Sequence, residues 1–134
     1  MKRFPEDIDI GISNTVFGIR PAIEDDFVQL NENGFRKVEV VLTKGWTDVD
    51  DVITIKKIAG WAEKYCVEVN SVHGPSGYPG HEGWLADPVK ENRDYAISLR
   101  KKALEGAKIL GAKYLVVEFE DRKSTRLNSS HGKL

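Results

Sequence analysis

The stretch Val67-Glu68-Val69-Asn70-Ser71-Val72-His73-Gly74-Pro75-Ser76-Gly77 decides how the chain folds. Val67, Val69 and Val72 are β-branched and favour a strand, whereas Gly74, Pro75 and Gly77 stop one. His73 therefore stands where a strand ends and a loop begins. In parallel α/β folds that edge is where ligands bind, which makes His73 the first candidate site residue. A histidine hydrogen-bonded to loop backbone is the alternative reading of the same position.

Before this stretch, Val52, Ile55, Ala59, Ala62 and Cys66 recur at helical spacing behind a cap at Thr47 or Asp48. Before that, Val38, Val40, Val41 and Leu42 make a strand interrupted by one acid, Glu39, in a run that a parallel sheet would bury on both faces. Glu39 is therefore either a site residue or half of an ion pair with Lys37 or Lys113. An earlier helix opens near Pro21, has Glu24, Asp25 and Asp26 at its positive end, carries the stripe Ile23, Phe27 and Leu30, and stops at Gly34. Ile8, Ile10 and Ile12 alternate with Asp9 and Gly11 in a first strand that ends at Ser13 and Asn14, and Asn14 is a further candidate.

After the stretch comes a long loop, Gly74 to Ala86, holding His81, Glu82 and Trp84, residues suited to a lid whose indole stacks on a sugar ring. Asp87 and Pro88 then open a helix carrying Ala96, Leu99, Ala103, Ala107 and Leu110 as far as Gly111. Tyr114 to Phe119 reads as a fourth strand, with Glu118 near its end. The order βαβαβαβ, with no hairpins, implies an α/β fold built on a parallel sheet. That sheet is either doubly wound or part of a (β/α)8 barrel, whose usual size of about 250 residues is roughly twice what stands here. Asn14-Thr15-Val16-Phe17-Gly18 lacks a glycine-rich phosphate fingerprint, which favours the barrel.

The chain has 134 residues, of which 40% are hydrophobic, enough for one modest domain. Its longest apolar runs fall well short of the roughly 20 residues of a membrane span, and the polar start lacks a signal-peptide core, so a cytoplasmic protein without a membrane partner is expected. One cysteine, Cys66, excludes an internal disulfide and reads as a packing residue. The net charge of −1 is uneven: the last fourteen residues hold four cations and one acid, leaving −4 for Met1 to Glu120. An acidic body of this kind argues against a nucleic-acid partner.

From Asp121 to His131 the sequence has no apolar period and matches, codon for codon, the in-frame translation of a common short-read sequencing adapter. The expectation is a body over 1–120 and a non-native, disordered tail over 121–134. The native chain would then be truncated after its fourth strand, with residue 120 itself uncertain between Asp and Glu.

Over Ile8 to Phe119 the body resembles the N-terminal half of the xylose isomerase-like superfamily of TIM barrels. The marks are Ile10-Gly11-Ile12-Ser13, Asn33-Gly34-Phe35 leading to Val38-Glu39-Val40, Ser71-Val72-His73-Gly74-Pro75, and Ala107 to Ala112 followed by Lys113-Tyr114-Leu115-Val116-Val117. The resemblance implies a partial (β/α)8 barrel, β1-α1-β2-α2-β3-α3-β4, from a sugar or sugar phosphate isomerase or epimerase. It also implies a divalent metal, held by ligands on later strands, that assists proton transfer next to a carbonyl. Glu118 stands where the apurinic endonuclease branch has a metal-binding histidine, which favours carbohydrate chemistry over DNA repair. Substrate contacts are expected at His73, Glu39, Asn14, Trp84, His81 and Glu118, and the fragment alone is expected to be inactive. The alternatives are an endonuclease-like fragment and a non-catalytic sugar-binding half-barrel, with self-association through open sheet edges.

Overall fold

Four short β-rich segments pair side by side in the order in which they occur in the chain. The computed structural model describes residues 9–77 and 83–118; His81, Glu82 and everything from Phe119 onward, including the adapter-like tail, lie outside the described residues. Strands β1 (Gly11–Ser13), β2 (Lys37–Val41), β3 (Glu68–His73) and β4 (Tyr114–Val116) form one parallel sheet in the order β1-β2-β3-β4. Helices α1 (Glu24–Glu32), α2 (Val52–Lys64) and α3 (Lys90–Leu110) make the crossovers, and a 3-10 turn, Asn14–Phe17, follows β1.

All three helices lie on one face of the sheet, because that face alone presents Val38, Val40, Val69 and Val72 to Phe27, Leu30, Ile55, Ile58, Ala103 and Ala107. Small residues let the helices come close. A Cβ on Gly106 of α3 would sit 2.6 Å from Leu42 Cδ1. Burial on both faces is not what the strands show among the described residues. On the other face Tyr114 is 62% exposed, and Lys37, Glu39, Ser71 and His73 are only partly buried.

An extra residue in β3 settles which side chains reach that second face. Val38 pairs with Val69, but Glu39 pairs with Ser71, so Asn70 has no opposite number in β2. This is a β-bulge, and it reverses the alternation of all that follows. Val69 and Val72 both point to the helices, whereas Ser71 and His73 point away from them, beside Glu39 and Val41. The Asn70 carbonyl is not wasted, since it accepts from Lys113 N at 3.0 Å and starts β4.

The helices begin later than their sequence signals suggest. Helix α1 starts at Glu24 rather than Pro21, and Ile23 is exposed instead of joining Phe27 and Leu30. Asp26 explains the start: its carboxylate accepts from Ile23 N at 3.0 Å and from both terminal nitrogens of Arg20, which fixes the entry of the chain. Helix α2 is capped by Asp51, whose Oδ1 accepts from Thr54 N at 3.0 Å, and not by Thr47 or Asp48. Thr47 is instead fully buried against Ala22. Asp87 accepts from Val89 N, and α3 proper begins at Lys90.

The helix ends share one device. Phe35 N donates to Leu30 O, Val67 N to Ala62 O and Ala112 N to Ala107 O, and in each case the preceding residue donates to a carbonyl one position later. These are Schellman turns, which demand a left-handed residue at their centre. Gly34 and Gly111 supply it at the ends of α1 and α3, with φ of 82° and 67°. After α2 the same place is held by Cys66 at φ 54°, exposed and outside the core, which corrects its reading as a packing residue. Because a side chain at left-handed φ costs about 1–2 kcal/mol, Cys66→Gly is expected to raise the free energy of unfolding by about 1 kcal/mol in urea titration.

Candidate functional site

The bulge and the strand register together bring three groups to the C-terminal edge of the inner face. His73 closes β3, Glu39 lies on β2 beside it, and Glu118 follows β4. His73 Nδ1 is 3.9 Å from Glu39 Oε1, and His73 Nε2 is 3.5 Å from Glu118 Oε1. Both separations exceed a normal hydrogen bond, so neither carboxylate is committed to the ring. All three side chains are partly open and remain able to bind hydroxyl groups. Of the three, Glu39 also lines a concavity of about 260 Å³, together with Gly11, Ile12, Ser13, Val38, Asn70 and Ser71. Its mixed polar and apolar walls and small size suit a sugar-sized molecule.

Glu39 does not form the ion pair with Lys37 or Lys113 that its neighbours in sequence suggest. Lys37 pairs with Asp9, and Lys113 Nζ lies 2.6 Å from Glu68 Oε1, both at the N-terminal end of the sheet. Hydrogen bonding to Asp9 raises the Lys37 ammonium pKa, and hydrogen bonding from Lys113 lowers that of the Glu68 carboxyl. With these cations engaged one layer below, Glu39 is left facing His73. His73 is likewise a strand residue between two carboxylates, not a histidine tied to loop backbone.

Two other candidates occupy different roles. Asn14 is buried, and its Oδ1 accepts from Val41 N at 3.1 Å, lacing the end of β1 to the end of β2. Trp84 is 6% exposed, so its indole does not offer the open stacking face expected of a lid. The physical reason lies in the loop that carries it. A Cβ on Gly77 would come within 2.3 Å of Gly83 C and Trp84 N, so the two arms of the loop cross in contact, turning Trp84 inward. Gly83 adopts φ 91°, open to glycine. His81 lies outside the described residues.

One residue of this region is absent from the reading of the sequence. Arg100 lies on the inward side of α3 among Ala96, Ala103 and Ala107, and its Nη1 donates to Gly83 O at 2.5 Å and to Ala96 O at 3.3 Å. It clamps the closing arm of the loop. Its signal was a charge on the apolar stripe of a helix, where an exposed residue would not fall. Burial lowers the Arg100 pKa, and only the nearby Glu118 charge acts in the other direction.

No family model matches the chain, and no curated protein sequence does. Among solved structures, the apo form of 3-keto-D-glucoside 4-epimerase, YcjR, from E. coli aligns with a TM-score of 0.61 and 23% identity, covering 83% of this chain. The chain spans 38% of the length of that structure. At this identity the likeness is one of fold. Together with the parallel sheet in sequence order, it identifies an α/β architecture, part of a (β/α)8 barrel.

Asn14→Ala strands a buried Val41 N–H and is expected to cost about 1–3 kcal/mol in urea unfolding, whereas Asn14→Asp, which keeps an acceptor, should cost less. Gly77→Ala is expected to break the loop crossing, seen as faster protease cleavage between Gly74 and Ala86 with the sheet and helices intact by circular dichroism.

Proposed function

We propose that this chain forms the sugar-binding wall of an isomerase- or epimerase-type barrel acting next to a carbonyl. The observation that carries the reading is His73 held between Glu39 and Glu118 at the strand ends, with Glu39 also lining a small concavity of mixed polarity. The fold likeness to a protein named as a 3-keto-D-glucoside 4-epimerase supports it.

The chemistry of the three groups is matched to a polyol. Ionised Glu39 and Glu118 accept from sugar hydroxyls, and a neutral imidazole donates from one nitrogen while accepting at the other. Together they can orient adjacent hydroxyl and carbonyl oxygens, and His73 can deliver or receive a proton at one of them as the neighbouring C–H bond is broken. Among the described residues no group of three or more His, Cys, Asp or Glu side chains is placed to hold a metal ion. The resemblance places the ligands of a divalent metal on later strands, and no step here runs through one.

The test is a titration of the chain with neutral ketohexoses such as D-fructose and D-tagatose, followed through the His73 imidazole resonances. Saturable shifts are expected, weakened about tenfold by Glu39→Gln, the loss of one charge-assisted hydrogen bond. Ketoses that leave the His73 resonances unmoved, or bind Glu39→Gln equally well, would sink the reading.

A further inference from the structure

Arg100 has a donor edge that nothing among the described residues uses. The side chain is 7% exposed, and both hydrogens of Nη1 are directed at backbone carbonyls, those of Gly83 and Ala96. Nε and Nη2 are buried and have no hydrogen-bond partner. Those two nitrogens form the side-on fork of a guanidinium, whose parallel N–H groups match the two oxygens of a carboxylate or phosphate. A buried cation whose fork is empty is costly unless something fills it.

The place of the fork narrows what that something is. Helix α3 runs antiparallel to the strands, so Arg100 lies one turn above Ala103, which would meet a Cβ on Gly74 just past the end of β3. The guanidinium is therefore at the level of the strand ends, behind Glu118 and the loop that carries Gly83. Glu118 is the one charge that acts on it appreciably, and Glu118 is 51% exposed. Arg100 lies on the helix side of the sheet and His73 on the other, and Glu118 is the group they share, 3.5 Å from His73 Nε2 and acting by its charge on the guanidinium.

We propose that the Nε/Nη2 edge of Arg100 is an oxyanion receptor, and that the sugar bound at the neighbouring site carries a phosphate or carboxylate group which this edge grips. The proposal rests on the sugar-binding reading and specifies its substrate class as anionic. Shielding from water strengthens such a charge-assisted contact, and the two-nitrogen fork makes it selective for two-oxygen anions over halides. The carboxylate of Glu118 is the internal competitor for the same edge, and the experiment separates it from an external anion.

The experiment titrates the full chain with inorganic phosphate at constant ionic strength, with chloride as control, and follows the Arg100 Nε–Hε resonance. Saturable downfield movement with phosphate but not chloride is expected. Arg100→Lys, which keeps the charge and loses the fork, should weaken phosphate binding at least tenfold with an unchanged circular dichroism spectrum. Glu118→Gln, which removes the competitor, should tighten it. No movement in the wild-type resonance overturns the proposal without requiring any variant to fold. Equal affinity in Arg100→Lys also overturns it, as does binding seen only in Glu118→Gln, which would make Glu118 the occupant. Neutral ketose binding at His73 is read separately in the same spectra, so the loss of one result leaves the other standing.

Discussion

The site depends on one unpaired residue. Without Asn70 as the extra residue of β3, strict alternation from Val69 would aim Ser71 and His73 at the helices, and Val72 at the opposite face. An imidazole would then stand in the hydrocarbon core and a valine on the face that carries Glu39. The bulge puts Val72 into the core and His73 beside Glu39 in a single step, so hydrophobic packing on one face holds the polar arrangement on the other. It also frees the Asn70 carbonyl to receive the chain at Lys113, which ties β4, and through it Glu118, to the same irregularity.

The two faces of the sheet divide the work of stability and function. Valines, leucines and isoleucines against three helices supply the burial, and Schellman turns feed each helix into the next strand through three or four residues. On the inner face the charges are sorted by height. Asp9, Lys37, Glu68 and Lys113 neutralise one another at the N-terminal end of the strands. The carboxylates at the other end, Glu39 and Glu118, are then left with an imidazole between them. In a barrel the C-terminal strand ends are the functional end, and the separation of the ion pairs from that end keeps its acids unquenched.

Much of this was legible in the residues. The alternation of β-branched runs with helical stripes specified a parallel α/β sheet in chain order, and Gly34 and Gly111 marked helix ends because only glycine takes left-handed φ at no cost. His73 and Glu39 stood out because polar residues interrupt strands that ought to be apolar. The misreadings have physical causes. Cys66 continues the α2 stripe by spacing, yet the Schellman turn takes it out of the helix at φ 54°. Thr47 is a good cap by type, but Asp51 is nearer the first hydrogen-bonded turn and Thr47 is drawn into the core. A polar side chain at a strand end can also satisfy a backbone N–H, as Asn14 does for Val41. The two- then three-residue spacing of Val67, Val69 and Val72 contained the bulge, although a run of valines hides a change of face.

Arg100 shows why a stripe should be read for its exceptions. Helical spacing places position 100 between Ala96 and Ala103, among residues small enough to let backbone approach backbone. The alanines make room for a long cationic side chain to lie along α3 and reach the crossing arms of the loop. A lysine there could bond both carbonyls through its single ammonium nitrogen, but it would have no second, two-donor edge. The same guanidinium that closes the loop is thereby left with a fork at the strand ends. A residue selected for loop closure alone would need only the first half of that geometry.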